Sequence, residues 1–388
     1  MHTVFRVDDI KQAVSSNRLW EVQLSLTGDN DPQLATLTER IKGELVGSTG
    51  WHQLGHLMLK VGHLNQAEEL YKELLKHSSS DSDRAHIYHQ LGGLKDDQGQ
   101  YKEAVSFYEK SLEIERKTLP EDHSSLAPTY TNIGAVYYNM GKYSKALEFY
   151  DKALKIREKS LPPNHPNLAT SYNNIGLAYR NMGDYSKALE FYEKAHKIDE
   201  KSLPPNHPDL ATSYNSIGLA YDNMGNYSKA LEFYEKDLEI TKKSLPPNHP
   251  DLATPYNSIG LAYRNMGDYA KALEFYDKSL KIREKSLPPN HPDLATSYNN
   301  IGLAIDNMGN YSKALEFYDK SLTIREKALP PNHPSLATSY HNIGGVYDNM
   351  GNYSKALEFY DKSLKIREKS LPPNHPDLAT SYNNIGAA

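Results

Sequence analysis

One glycine recurs every 42 residues, at Gly92, Gly134, Gly176, Gly218, Gly260, Gly302, Gly344 and Gly386. A second keeps the same period at Gly99, Gly141, Gly183, Gly225, Gly267, Gly309 and Gly351. Upstream, Gly55 and Gly62 repeat the pair at a shorter step of 37 residues. Self-similarity at such a period marks a stack of supersecondary units, each too small to bury its apolar face alone. The array therefore covers residues 51–388, as eight units plus a partial ninth, and residues 1–50 form a separate N-terminal segment. Residues 376 to 388 supply only the first helix of the ninth unit.

Each unit reads as two helices. In the stretch from Pro166 to Leu203, the residues Leu168, Tyr172, Ile175, Tyr179 and Met182 share one helical face. Gly183-Asp184 turns the chain, and Tyr185, Ala188, Leu189, Tyr192, Ala195 and Ile198 form a second apolar stripe. The connector Leu203-Pro204-Pro205-Asn206-His207-Pro208 ends the unit, because proline stops one helix and suits the first turn of the next. Gly176 sits inside the first helix, where glycine costs about 1 kcal/mol relative to alanine. Its recurrence predicts a packing reason: close approach of the second helix, with Ala188 as the small partner. Three units depart from the pattern at Asp237, His196 and Ile305, and these are read as drift tolerated at a helix margin, with local specialisation as the alternative.

Composition removes several function classes. With no cysteine in 388 residues, thiolate catalysis, thiolate metal sites and disulfides are excluded, which suits a reducing compartment and a cytoplasmic location. No apolar run approaches the ~20 residues of a membrane span. A formal net charge of −5 gives no electrostatic footprint for nucleic acid. The connector histidines His165, His207, His249, His291, His333 and His375 are one stack apart and do not converge as metal ligands must. They read as turn residues before an N1 proline. No Ser/His/Asp or paired-carboxylate constellation stands apart from the repeat, so no enzyme, cofactor or metal is expected.

The residues Trp51, Leu54, Gly55, Ala67 and Tyr71 resemble the tetratricopeptide repeat signature of aromatic, Leu, Gly, Ala, aromatic. So do Tyr88, Leu91, Gly92, Ala104 and Tyr108, and Tyr172, Ile175, Gly176, Tyr179, Ala188, Tyr192 and Ala195. The 42-residue unit, the Leu-Pro-Pro-Asn-His-Pro connector and the Asn173-Asn174 pair are similar to the repeats of kinesin light chains. The resemblance implies an all-α fold: a right-handed tetratricopeptide-repeat superhelix, a helical-hairpin solenoid with a concave groove.

The first fifty residues differ in kind. Residues 2 to 7 and 19 to 26 alternate as strands do, giving a short N-terminal β-hairpin-like segment. Asp8-Asp9 and Ser15-Ser16-Asn17 carry turn chemistry between them, and Asp31-Pro32 opens a short helix through about Glu44. Met1 to Arg6 and Leu19 to Leu24 resemble the closing strands of arginine-specific mono-ADP-ribosyltransferase domains. That resemblance implies a tail without the catalytic arginine, serine strand or Glu-x-Glu pair, as in a truncated or decayed fusion of such an NAD–protein-arginine ADP-ribosyltransferase with the array.

The informative positions lie on the first helix of each unit. Asn173, Leu177 and Arg180 are spaced i, i+4, i+7 and share one face, which the family resemblance places in the concave groove. Along the array its first row reads His52, His89, Thr131, Asn173, Asn215, Asn257, Asn299, His341. The last row reads Leu59, Asp96, Tyr138, Arg180, Asp222, Arg264, Asp306, Asp348. Asparagine offers donor and acceptor together, so the first row suits the backbone of an extended peptide, and the second row its side chains. The competing reading is that Arg180, Asp222 and Arg264 pair with one another across units. The expected function is a non-catalytic protein–protein interaction scaffold, kinesin-light-chain-like, holding a protein or extended peptide. Replacing Asn215, Asn257 and Asn299 by alanine is expected to weaken binding and leave melting unchanged.

Overall fold

The structure is a computed structural model that describes residues 4–12, 20–27, 49–60, 62–78, 80–371 and 376–387. The helix expected at residues 31 to 44, the Ser15-Ser16-Asn17 turn and His375 lie outside the described residues. The chain divides into two compact units, Met1–Phe149 and Tyr150–Ala388.

In the first unit, β1 (Val4–Gln12) runs antiparallel to β2 (Trp20–Thr27), with Val4 opposite Thr27 and Gln12 opposite Trp20. The register shifts between Val7 and Asp9. Asp8 and Asp9, expected as turn residues, lie instead inside β1 at this irregularity, where an extra residue is accommodated without ending the strand. The helices α1 (Thr49–Lys60) and α2 (Leu64–His77) follow, then α3 (Asp81–Asp97), α4 (Tyr101–Thr118) and α5 (Leu126–Asn139). α6 (Tyr143–Ser160) carries the division between the units.

The second unit continues with α7 (Pro166–Asn181), α8 (Tyr185–Ser202), α9 (Pro208–Asn223) and α10 (Tyr227–Ser244). A 3-10 turn (Pro250–Leu252) precedes α11 (Ala253–Asn265), and α12 (Tyr269–Ser286), α13 (Pro292–Asn307) and α14 (Tyr311–Ala328) follow. The last are α15 (Pro334–Asn349), α16 (Tyr353–Ser370) and α17 (Pro376–Ala387). No described helix is long and apolar enough to cross a membrane.

The local causes are visible at each end of a helix. His165 ends the connector in extended backbone and its Nδ1 accepts the Asn167 N–H at 3.1 Å, capping α7. His207, His249, His291 and His333 cap their helices in the same way. The first helix ends where Gly183 takes φ +81°, a left-handed conformation open to glycine. Asp184 then caps α8 through the Lys187 N–H.

The recurring helix-interior glycine has the packing role its periodicity predicts, and the occupant of the space is a tyrosine ring. A β-carbon on Gly176 would lie 2.7 Å from Tyr192 Cε1 and 3.2 Å from the Ala188 carbonyl oxygen. The same holds for Gly218 with Tyr234 and Gly260 with Tyr276. Those tyrosines, Ala188, Ala230 and Ala272 are buried at the centre of each hairpin, with Ile217 and Ile259 of the following first helix closing over them. A second aromatic layer explains why tyrosine so outnumbers phenylalanine. Tyr179 stacks on Phe191, Tyr221 on Phe233 and Tyr263 on Phe275, and a lysine rides over each tyrosine.

Candidate functional site

The asparagine row of the second unit is built into rungs that join successive hairpins. Asn300 Nδ2 donates to Asn257 Oδ1 at 2.9 Å, and Asn342 Nδ2 donates to Asn299 Oδ1 at 3.0 Å. Asn215 uses its amide differently: its Nδ2 donates to Asp237 Oδ2 at 2.9 Å and to Ser258 Oγ at 3.3 Å. Asn173 Oδ1 is buried with no hydrogen-bond partner. The residue in the donor position opposite it is Ser216, whose short hydroxyl turns back to the Thr212 carbonyl. His341 continues the row as a half-buried ring against Tyr360, and burial lowers its pKa, with Arg367 adding to the effect. The row is thus held by its own neighbours, which corrects the expectation that alanine there would leave melting unchanged.

The charged row is tied together through a residue the sequence reading passed over. Asn265 Nδ2 donates to Asp222 Oδ1 at 3.2 Å, and Asn265 Oδ1 accepts from Arg264 Nη2 at 3.1 Å. Asp222 and Arg264 therefore communicate across units through an amide. Burial raises the pKa of Asp222, with Asn265 and Arg264 opposing. Asp306 repeats the pattern: burial raises its pKa, a hydrogen bond from Asn349 opposes, and its Oδ1 has no partner. Arg180 is half-buried and close enough to Tyr234 to act on it electrostatically, and Asp348 acts likewise on Tyr360.

Of the departures from the repeat, Asp237 and Ile305 are buried and His196 is half-buried. Asp237 is 4% exposed and accepts from Thr241 Oγ1 at 2.9 Å as well as from Asn215. His196 Nδ1 lies 2.7 Å from Ser213 Oγ, and its ring packs 4.3 Å from Tyr214. Ile305 belongs to the core around Tyr318. The reading of drift at a helix margin is corrected accordingly: each substitution changes what fills an interior space.

The tetratricopeptide repeat family matches residues 48–117, 125–201, 182–243, 251–327, 293–369 and 335–388. The chain belongs to the tetratricopeptide repeat family. None of these matches reaches the segment that carries the likeness to ADP-ribosyltransferase strands. No curated protein matches the chain in sequence. Among solved structures, the apo form of the quorum sensor NprR from B. thuringiensis is similar with a TM-score of 0.66 at 16% identity, over 86% of this chain and 93% of that one. Aspartyl phosphate phosphatase F from Bacillus subtilis follows at 0.60 and 17%, over 87% and 89% of the two chains. Repeats ascribed to a kinesin light chain of Podosopora anserina give 0.45 at 26% identity, over 53% of this chain and 98% of theirs. The tetratricopeptide solenoid of helical hairpins is thereby shown.

Within this tetratricopeptide array, a further set of contacts recurs that sequence inspection did not single out. Arg157, Arg283, Arg325 and Arg367, in the second helix of a hairpin, donate across to Ser171, Ser297, Ser339 and Ser381 of the next first helix at 2.6–2.7 Å. Three of these guanidinium groups also reach a backbone carbonyl, at Asp293, Ser335 and Asp377. The signal was present, since arginine and serine recur 14 residues apart. Only the structure shows that the two face each other across a junction.

Proposed function

We propose that the array is a non-catalytic scaffold that holds an extended polypeptide along the face formed by the first helices. The observation that carries this reading is the rung geometry. Asn257 and Asn299 present their oxygens to Asn300 and Asn342, which fixes the amides in one orientation. Among the described residues nothing engages the Nδ2 groups of Asn257 and Asn299. A pre-oriented donor loses little entropy when a backbone carbonyl meets it. The charged row beside it, with Arg264 and Asp222 linked through Asn265, would read side chains of the same segment. Membership of a family built on stacked hairpins supports the reading, since such arrays create extended binding surfaces.

The test is selection of dodecapeptides on the full chain from a displayed library, followed by calorimetry with the peptides recovered. Joint replacement of Asn257 and Asn299 by alanine should weaken them about thirtyfold, at about 1 kcal/mol per hydrogen bond. The same variant should lose about 1 kcal/mol of stability per site, because Asn300 and Asn342 lose their acceptors. Peptides that bind the double variant undiminished would remove this face from consideration.

A further inference from the structure

The arginine of the key is missing from two junctions of the second unit, at Asp199 and at Thr241, and at Thr241 the serine is missing too and a cavity stands in their place. At the position of Arg157, Arg283, Arg325 and Arg367 this junction has Thr241, and at the position of the serine it has Pro255. The carbonyl of Asp251, equivalent to that of Asp293, keeps a bond from the Ala253 N–H but lacks three other donors. The arginine is gone, the serine hydroxyl is gone, and proline has no N–H to close the helical turn. The chain responds by forming the 3-10 turn Pro250–Leu252 where its sisters begin as α-helix.

The cavity has a volume of about 230 Å³, and a water needs only ~10–15 Å³ of such space. Its floor is Ala211, Asp237, Thr241 and Pro255, all buried, and its rim includes the exposed Thr212 and Thr254. Asp237 stands where two preceding units have Ala153 and Ala195 and the following units have Ser279, Ser321 and Ser363, which donate to the carbonyls of Ala253, Ala295 and Ala337 at 2.8 Å. A carboxylate cannot make that bond, so the Ala211 carbonyl, equivalent to these, keeps its helical donor and lacks this second one. A junction that lost a cation has gained an anion, together with two carbonyls that lack the side-chain donors of their sisters.

The first unit also has an acidic residue at such a junction, at the arginine position itself, while Ser111 keeps its bond to the Ala85 carbonyl. Glu115 occupies the arginine position there, a cavity of about 670 Å³ opens beside it, and Glu115 Oε2 is buried with no hydrogen-bond partner. The other junction of the second unit without the arginine, at Asp199, is closed from within by His196, which bonds to Ser213.

We propose that the Asp237 cavity is a socket for the guanidinium of an arginine side chain carried by the bound polypeptide, which enters where the sister units place their own arginine. The proposal deepens the scaffold reading and rests on it. A guanidinium is planar, with donors spread around its edge, which suits a carboxylate and two carbonyls at once. Among the described residues, the groups bonded to Asp237 are Thr241 and Asn215, both neutral. Burial pushes its carboxyl up to about 6, as expected for an anion that lacks a counter-charge.

The test is a methyl-NMR titration of the full chain, with Ala211 and Leu245 as reporters. The probes are N-acetylarginine methylamide, its neutral isostere from citrulline, and the lysine analogue. The expected result is a saturable shift with the arginine probe, at least tenfold weaker response to lysine, and none to citrulline. Asp237→Asn should weaken the arginine probe tenfold or more. Thr241→Arg, which restores the internal occupant, should abolish its effect on both reporters while the chain melts no lower than before. No saturable shift, an equal response to citrulline or lysine, or full binding by Asp237→Asn would each overturn the socket. If the probe fails while displayed peptides still depend on Asn257 and Asn299, the socket falls and the scaffold stands. If the probe binds and no peptide does, the scaffold reading falls.

Discussion

A methyl group added at residue 260 would lie 2.6 Å from Cδ1 of Tyr276, with the Ala272 carbonyl only 3.2 Å away. The ring is fully buried and has nowhere to retreat. Overpacking of this kind costs about 1–3 kcal/mol, which exceeds the ~1 kcal/mol that alanine gains in a helix. Gly260→Ala is therefore expected to destabilise, by about 1 kcal/mol or more in urea unfolding, although alanine is the better helix former. The Tyr276 hydroxyl presents the opposite case. It is buried without a partner, and burial pushes its pKa up to about 12. Tyr276→Phe removes a desolvated group and keeps the ring, so stability should rise, by about 1 kcal/mol. A drop of that size would show that the hydroxyl has a partner after all. Asp237 gives a pH-dependent form of the same argument. Burial raises its pKa from 3.8 to about 6, so the folded state binds the proton more tightly than the unfolded chain. Stability from this group is fully present below about pH 4 and is lost as pH rises through 6. Asp237→Ser should thus stabilise on the order of 2–3 kcal/mol at pH 7.5 and much less at pH 4. Asp199, with a pKa raised to about 6 by burial and then by Asp209, adds a loss in the same window and remains in both proteins.

Among the first helices of the second unit, α11 is the one whose start differs from its sisters, and the cause is a single imino acid. Pro255 falls where the sixth helical residue would send its N–H back to Asp251. Pro255→Ser should convert Pro250–Leu252 to α-helix, visible in backbone carbon shifts, and raise the melting point. An unchanged 3-10 turn in that variant would place the cause in Thr241 instead. This contrast also shows what could be read in advance. The paired helices, their breaks and the helix-interior glycine were legible because each follows from a local rule: apolar spacing, proline, and the cost of glycine. The connector histidines could be placed at turns, though not as caps, since capping depends on the ring reaching a particular N–H. The rungs from Asn300 to Asn257 and the key from Arg283 to Ser297 were not legible. They join residues 43 and 14 apart, and which side chains face each other across a junction depends on the angle between hairpins. The joint departure at Thr241, Pro255 and Asp237 was visible letter by letter, but its meaning required the key.

At the scale of the whole second unit, each helix touches its neighbours in sequence and, more lightly, the first helix of the following hairpin. Stability in such an array is a sum of hairpin and junction terms. The Thr241 junction has lost its key, so it should be the weakest boundary between α9 and α16. Native-state hydrogen exchange should find amides of α11 opening before those of α13, and Thr241→Arg with Pro255→Ser should even them out. Uniform protection across both helices would refute the junction argument.

The same nearest-neighbour wiring has a mechanical consequence. Pulled from its ends, a chain whose contacts are all short in sequence yields one hairpin at a time. Each 42-residue hairpin releases roughly 140–150 Å of contour length at ~3.3–3.6 Å per residue. The second unit would behave as an extensible tether with regular steps, whose first step marks the junction at Thr241.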